Sequence, residues 1–389
     1  MGSSAINLSG PLGPEQFRNQ LLNGDFNFWQ RGTEITTGPD SGSYSTGTGK
    51  VYVPDRWFVR ASLGRGISGA FGGDGKEASV PRIKVERQGF TVGYPQLTDV
   101  SASDYFCRIT VGAADGTAIA GVTGASMDLG NSNMHFVQLT DVNTSEFSDA
   151  TCYLSFLGKS FGDITNPTIG CRLSFDPDQS DDIEGDVCPD TTGVTASLST
   201  GFRETIKILG DDIELSPSWQ KFKRKFKFPS FEGCTLGDVS TIHTTFTLAA
   251  GASGAEELRS NGKLTDMLGL TGLTGAVEIA QVQMEIGDDS SPFEKRHPAV
   301  ELGVCQRYYF RDDDLRFYVD ATQNHGMNDQ GTVIFPTTMR TTPSVSIVTE
   351  NIALQTALAC PSGVNLTVAQ STIGEEDTSM VGLIADAEL

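Results

Sequence analysis

The chain predicts an all-β protein: a jelly-roll β-sandwich followed by a smaller C-terminal β-sandwich, with a short N-terminal arm. Three observations carry this. The 389 residues include 44 glycines among many Ser and Thr, a composition of turns rather than long helices. Apolar runs seldom exceed a handful of residues. Segments rich in β-branched and aromatic residues recur at short spacing, each bounded by Gly, Pro, Asn or Asp.

Taken in order, residues 1–20 read as the arm, and within Glu15–Leu22 the side chains of Phe17, Leu21 and Leu22 could share one face of a two-turn helix starting at Pro14. Leu21–Gly32 follows, with Asn23-Gly24 as a turn dipeptide and Phe26, Phe28 and Trp29 beyond it, and it reads as a first strand. Val53–Val59 is its companion, a turn at Pro54-Asp55 and a strand opening with Trp57. Residues 38–50 and 64–76 are loop by composition. The second holds Gly64-Arg65-Gly66-Ile67-Ser68-Gly69, but no helix starts after it, so the dinucleotide reading is rejected.

Further strands are expected at Ile83–Glu86, Tyr105–Val111, Phe136–Leu139, Cys152–Leu157, Thr168–Phe175, Phe202–Leu209, Lys221–Phe228, Thr241–Leu248 and Ala276–Ile286. The last is a long alternation that places Val277, Ile279, Gln281, Gln283 and Glu285 on one face. Ala255–Leu270 is the best helical insertion. Pro292 and His297-Pro298 punctuate the exit from the long strand, which sets the jelly-roll domain at 21–300 and the C-terminal sandwich at 301–389. Pro298–Gln306 reads as a helical turn or two. After it come strands at Arg307–Phe310, Leu315–Val319, Gly331–Phe335, Ser344–Glu350, Val364–Gln370 and Met380–Ile384.

Charge and composition exclude several functions. With 28 basic and 49 acidic side chains the net charge is −21, a field that opposes nucleic acid. Seven scattered cysteines with no Cys-x-x-Cys pair argue against a zinc knuckle or a disulfide scaffold and for synthesis in a reducing compartment. Met1–Ile6 lacks the basic start and apolar stretch of a signal peptide, and no run approaches the roughly 20 apolar residues of a membrane span. Synthesis in the cytoplasm without membrane insertion is expected.

Catalytic signatures are equally absent. The four histidines, His135, His243, His297 and His325, lack paired-ligand spacing, and neither a nucleophile elbow nor a Walker loop occurs. The chain therefore reads as a non-enzyme with no cofactor. The acidic run Asp176–Asp186 could hold a structural calcium, although Asp181 occupies the position where an EF-hand has glycine; a solvated loop is the plainer reading. On a strand, Lys221, Lys223, Lys225 and Lys227 point one way and Phe222 and Phe226 the other. That lysine row is either an edge-protecting solvated face or a contact with an acidic subunit or an anionic glycan. Tyr308, Tyr309 and Tyr318 are candidate glycan platforms, since aromatic faces stack on sugar rings; Trp29 and Trp57 are assigned to packing.

Six motifs then fall in one order: Leu21-Leu22-Asn23-Gly24-Asp25-Phe26 with Trp29-Gln30-Arg31-Gly32; Asp55-Arg56-Trp57; Tyr153-Leu154-Ser155-Phe156; Trp219-Gln220-Lys221-Phe222; Gln281–Gly287 with Pro292–Arg296; and Cys305-Gln306-Arg307-Tyr308-Tyr309. Together they resemble a family of bacteriophage tail-fibre and virion-surface proteins whose main domain is a jelly roll similar to carbohydrate-binding modules. Phe335–Val345 resembles the small β module that often closes such proteins. The resemblance implies a homo-oligomeric, trimeric structural protein of a tailed phage, resident in the virion, docked to other virion proteins by its arm and attaching to host surface polysaccharide. A decoration protein of head or tail without receptor binding, and a polysaccharide depolymerase spike, are the alternatives. The absence of a β-helix repeat counts against the spike.

Overall fold

The computed structural model describes residues 17–37, 50–62, 83–91, 103–111, 133–141, 144–163, 167–176, 206–231, 240–250, 274–318, 329–349, 352–370 and 378–388. The chain divides into two compact units, Met1–Lys295 and Arg296–Leu389. Both are built from antiparallel strands, as an all-β sandwich protein requires. The glycine-rich stretch at 64–69, the insertion at 255–270 and the acidic run beyond Asp176 lie outside the described residues. No helix among the described residues is long and apolar enough to cross a membrane.

In chain order the strands of the first unit are β1 (Glu34–Thr37), β2 (Lys50–Tyr52), β3 (Trp57–Ser62), β4 (Ile83–Gly89), β5 (Tyr105–Val111), β6 (Asn133–Thr140), β7 (Thr151–Asp163), β8 (Thr168–Asp176), β9 (Ile206–Glu214), β10 (Gln220–Lys227), β11 (Thr241–Ala250) and β12 (Thr274–Ile286). They form two six-stranded sheets, β1-β4-β5-β12-β7-β10 and β2-β3-β6-β11-β8-β9. The crossovers between the sheets let each strand's alternate residues meet in one core. Cys107, Ile109, Leu154, Phe156, Val277 and Ile279 enter it from the first sheet, and Trp57, Val59, Phe136, Leu173, Phe175 and Phe246 from the second. Trp57 is fully buried, stacked on Phe136 at 4.9 Å, with the Phe26 ring tilted against it at 5.5 Å.

One strand departs from simple alternation. In β12 the pairing with β7 breaks between Ala280 and Gln283, and Gln281 has φ +52°. This bulge flips the phase: Val277 and Ile279 face the core before it, Val282 and Met284 after it. Gln281, Gln283 and Glu285 therefore do not share the face of Val277 and Ile279, as strict alternation had placed them.

The bulge exists to receive Leu21–Gly32, which is not a strand. Side-chain bonds to the backbone displace the ladder here. Asn23 Oδ1 accepts from Phe28 N at 3.0 Å, and Asn23 Nδ2 donates to Phe28 O at 2.8 Å and Asp55 O at 3.2 Å. Asn23 and Phe26 both take positive φ, 51° and 55°. Gln20 N donates to Met284 O and Val282 N to Gly24 O, each at 2.8 Å, so the segment uses the backbone groups the bulge leaves open. Gly24 is obligatory, since a Cβ there would lie 2.0 Å from Val282 O. Phe17–Leu22 likewise shows no helix; Asn19 bonds Met284 N and Val282 O instead. The expected companion is confirmed: Asp55 takes Gln30 N on Oδ1 at 3.0 Å and Gln30 Nε2 on Oδ2 at 2.7 Å, and Trp57 Nε1 donates to Leu22 O at 3.2 Å.

The second unit opens with α1 (Pro298–Gln306), capped by His297, whose Nδ1 accepts from Ala299 N at 3.3 Å. Its strands are β13 (Tyr309–Tyr318), β14 (Asp329–Ile334), β15 (Ser344–Thr349), β16 (Ile352–Cys360), β17 (Gly363–Gln370) and β18 (Thr378–Asp386). They make two three-stranded sheets, β13-β18-β15 and β14-β17-β16, over a core of Phe335, Met339, Val364, Leu366, Leu383 and Ala385.

Candidate functional site

Among the described residues of the first unit, the outer face of the β1-β4-β5-β12-β7-β10 sheet carries the densest chemistry. Register places Glu278 of β12 directly between Arg108 of β5 and Lys159 of β7, with Glu86 of β4 beyond Arg108 and Glu34 of β1 beyond Glu86. A charged row thus crosses five strands. Glu278 is fully buried; its Oε1 accepts from Arg108 Nε at 2.8 Å and Nη2 at 2.5 Å, and its Oε2 from Lys159 Nζ at 2.9 Å. Two residues along β4 on the same face, Lys84 bridges Glu86 at 2.7 Å and Glu34 at 3.2 Å. Those two carboxylates raise its ammonium above the ordinary lysine value.

Aromatic rings flank the row. On one side Phe161 of β7 is 47% exposed, with the Arg108 guanidinium 4.3 Å and the Lys159 ammonium 5.3 Å from its centroid. On the other, Phe90, Phe106 and Trp219 pack at about 5 Å from one another, and Lys159 reaches Trp219 at 5.9 Å. A flat apolar ring beside anchored donors and acceptors is the arrangement that holds a polyhydroxylated ring: stacking on its apolar face, hydrogen bonds to its edge. The far end of the face is closed. Ser291 N and Oγ bond Glu285, Arg18 Nε lies 3.4 Å from it, and Glu294 N donates to Gln283 Oε1 at 2.7 Å.

Of the residues expected from sequence, the lysine row lies on the outer face of this same sheet, on the edge strand beside β7, and the tyrosines fall elsewhere. Lys221, Lys223, Lys225 and Lys227 do share one side of β10, an edge strand, opposite Phe222 and Phe226. Lys223 and Lys225 are exposed, Lys225 lies 5.8 Å from the Tyr153 ring, and Lys227 pairs with Asp149 at 2.6 Å. Tyr308 and Tyr309 are 2% and 5% exposed, so neither offers a ring face to a sugar. Tyr318 lies on β13, with its side chain outside the described residues. Arg108, Lys159, Glu278 and Phe161 were not found in advance. Their partners are 119 and 170 positions apart, and register alone joins them.

On the second sheet, His135 and His243 sit on the face away from the core, near Arg60 and Arg172. His135 Nδ1 is 3.0 Å from Thr247 Oγ1. Burial, then the Arg172 and Arg60 charges, hold its imidazole well below the ordinary histidine range. Among the described residues no group of three or more His, Cys, Asp or Glu is placed to hold a metal. The calcium reading of Asp176–Asp186 rests, beyond Asp176, on positions outside them. Cys107, Cys152, Cys171 and Cys305 are buried thiols, and Cys360 is an exposed one.

No family model matches the chain, and no curated protein matches it by sequence. Solved structures do resemble it. A structure titled "CBM4 structure and function" is 14% identical, over 68% of this chain and 98% of its own, with TM-score 0.27. The CBM22-1 xylan-binding domain of Xyn10C from Paenibacillus barcinonensis is 10% identical, over 66% and 95%, with TM-score 0.23. A Stig cyclase from Fischerella sp. TAU is 9% identical, over 66% and 100%, with TM-score 0.29. Likenesses of this size leave the function to be argued from the face itself.

Proposed function

We propose that the first unit is a non-catalytic polysaccharide-binding domain, and that the chain is a fibre or surface appendage of a tailed-phage virion which attaches to host glycans. The observation that carries the binding reading is Phe161. It is a large apolar ring left exposed beside an Arg108–Glu278–Lys159 row whose charges are mutually anchored. An anchored guanidinium and ammonium lose little side-chain entropy when they bond a hydroxyl, and the ring face supplies stacking.

The virion reading rests on the six motifs in order. In it the chain is a homo-oligomer, expected to be a trimer, docked by residues 1–20 to other virion proteins. Single sugar sites are weak, and copies held together raise avidity through effective concentration. Residence in the virion would be tested by locating the protein in intact particles.

The binding reading is tested by screening the full-length chain against immobilised bacterial surface polysaccharides, alongside Phe161→Ala. Burying a phenylalanine side chain against a ligand is worth about 1.5–3 kcal/mol, so the variant should bind about 10- to 100-fold more weakly. Unchanged binding by Phe161→Ala would refute the site. Release of reducing sugar would instead identify a depolymerase.

A further inference from the structure

Register sets Lys221, Lys223, Lys225 and Lys227 of β10 beside Leu157, Ser155, Tyr153 and Thr151 of β7, whose alternate residues continue on the same face to Lys159 and Phe161. At about 3.3 Å per residue the lysine row runs roughly 20 Å. Arg108 and Lys159 are spent on Glu278, and Lys84 on Glu86. Lys227 pairs with Asp149, but Lys223 and Lys225 are exposed and enter no ion pair among the described residues. Glu285 of β12, across from Tyr153, is buried and held by Ser291 and Arg18. Shielding an edge strand needs charge of either sign. A line of cations alone, in a chain with 49 acidic and 28 basic side chains, answers to an anion.

We propose that the polysaccharide held on this face is an acidic one, lying along β7 with a sugar on Phe161 and its carboxylate or sulfate groups facing Lys223 and Lys225. This names the ligand class within the glycan reading of the first unit and rests on that reading. Tyr153 supplies a second ring. It is half-buried, with the Lys225 ammonium 5.8 Å from its centroid, and on the same face of β7 it stands about 26 Å from Phe161 at roughly 3.3 Å per residue. A linear polymer can meet both rings and the lysines between them at once. Charge selects against other occupants. A second copy of the chain, at −21, is repelled before it reaches the row, and a nucleic-acid duplex, with one charge per ~1.7 Å, meets the same repulsion. A polysaccharide acidic at only some of its sugars is sparser in charge, and beyond ~8 Å salt screens the remaining acidic surface from it. Exposed lysine–carboxylate pairs are individually weak, so the row decides which polysaccharide is preferred while the rings supply stacking.

Calorimetric titration of the full-length chain tests it, with polygalacturonate against the neutral galactan made from it by carboxyl reduction, and dextran sulfate against dextran. The two pairs tell carboxylate from sulfate. The wild type should hold an acidic polymer on the order of tenfold more tightly than its neutral form, and that margin should vanish as salt rises from about 0.05 to 0.5 M. Lys223→Glu with Lys225→Glu should bring the acidic polymer down to the affinity of the neutral one, and Lys223→Arg with Lys225→Arg should keep the margin. Both lysines are exposed, so unfolding curves should not move. Phe161→Ala should instead weaken acidic and neutral forms by the same factor. Equal binding of acidic and neutral forms, or a preference that survives the Glu variant, overturns the proposal and leaves the glycan reading standing. No binding of either acidic polymer also overturns it, and loss of every polymer tested takes the glycan reading with it. Duplex DNA bound as tightly as polygalacturonate would make the row a general polyanion face. Self-association abolished by the Glu variant, with no preference for acidic polymer, would make it a protein contact. Either result overturns the proposal as well.

Discussion

Replacing Gly24 by alanine strikes the contact on which the first unit is organised. The added Cβ would lie 2.0 Å from Val282 O and 3.1 Å from Val282 C, both backbone atoms of the strand at the centre of the sheet, so no side-chain rotation relieves it. The leading segment must lift away from the β12 bulge. That breaks the Val282 N–Gly24 O and Gln20 N–Met284 O bonds, each 2.8 Å long and each worth about 1 kcal/mol. Overpacking adds about 1–3 kcal/mol, for a total of about 3–5 kcal/mol. At about 2–4 °C per kcal/mol in a unit of this size, melting should fall by roughly 6–20 °C. All three tryptophans, Trp29, Trp57 and Trp219, belong to Met1–Lys295, so their fluorescence follows this unit alone. A Gly24→Ala protein melting within about 2 °C of wild type would refute the bulge-docking account.

Other perturbations follow from buried charge and pH. Glu278→Ala leaves Arg108 and Lys159 without their shared carboxylate, at 21% and 13% side-chain exposure. Denaturant unfolding should show a loss of about 3 kcal/mol, and a loss under about 1 kcal/mol would place the row in screened solvent. His135 is neutral in the folded protein because burial and two arginines depress its pKa, whereas the unfolded chain protonates it near 6.5. The unfolded state then binds more protons below that pH, so stability should fall as pH drops from about 6.5 towards 5, by up to about 1.4 kcal/mol per unit from this group. His135→Gln should flatten that slope in urea melts at stepped pH, and parallel slopes would contradict it.

Much of the fold could be read from local patterns. Alternation in Tyr105–Val111 and Lys221–Lys227 located β5 and β10, because each strand has one face in a core and one outside. The reading failed where side chains outcompete the ladder. Asn23 and Asp55 fold Leu21–Gly32 into turns although its aromatics mimic a strand. The β12 bulge was visible in principle, since Val277 and Ile279 are followed by Val282 and Met284 and the apolar parity switches. The site was not legible. Arg108, Lys159 and Glu278 look like ordinary outward residues of three separate strands until register brings them together, and Phe161 differs from the core phenylalanines only in which face it occupies. Tyr308 and Tyr309 erred the other way, as polar-tipped rings that pack inside.

The account turns on whether polysaccharide binds at the charged row beside Phe161. Titration of soluble bacterial surface polysaccharides into the full-length protein and into Phe161→Ala measures this directly. The expected result is saturable binding to the wild type, weakened about 10- to 100-fold in Phe161→Ala with an unchanged unfolding temperature. Equal binding by the two proteins, or no binding by the wild type to any polysaccharide tested, would contradict it.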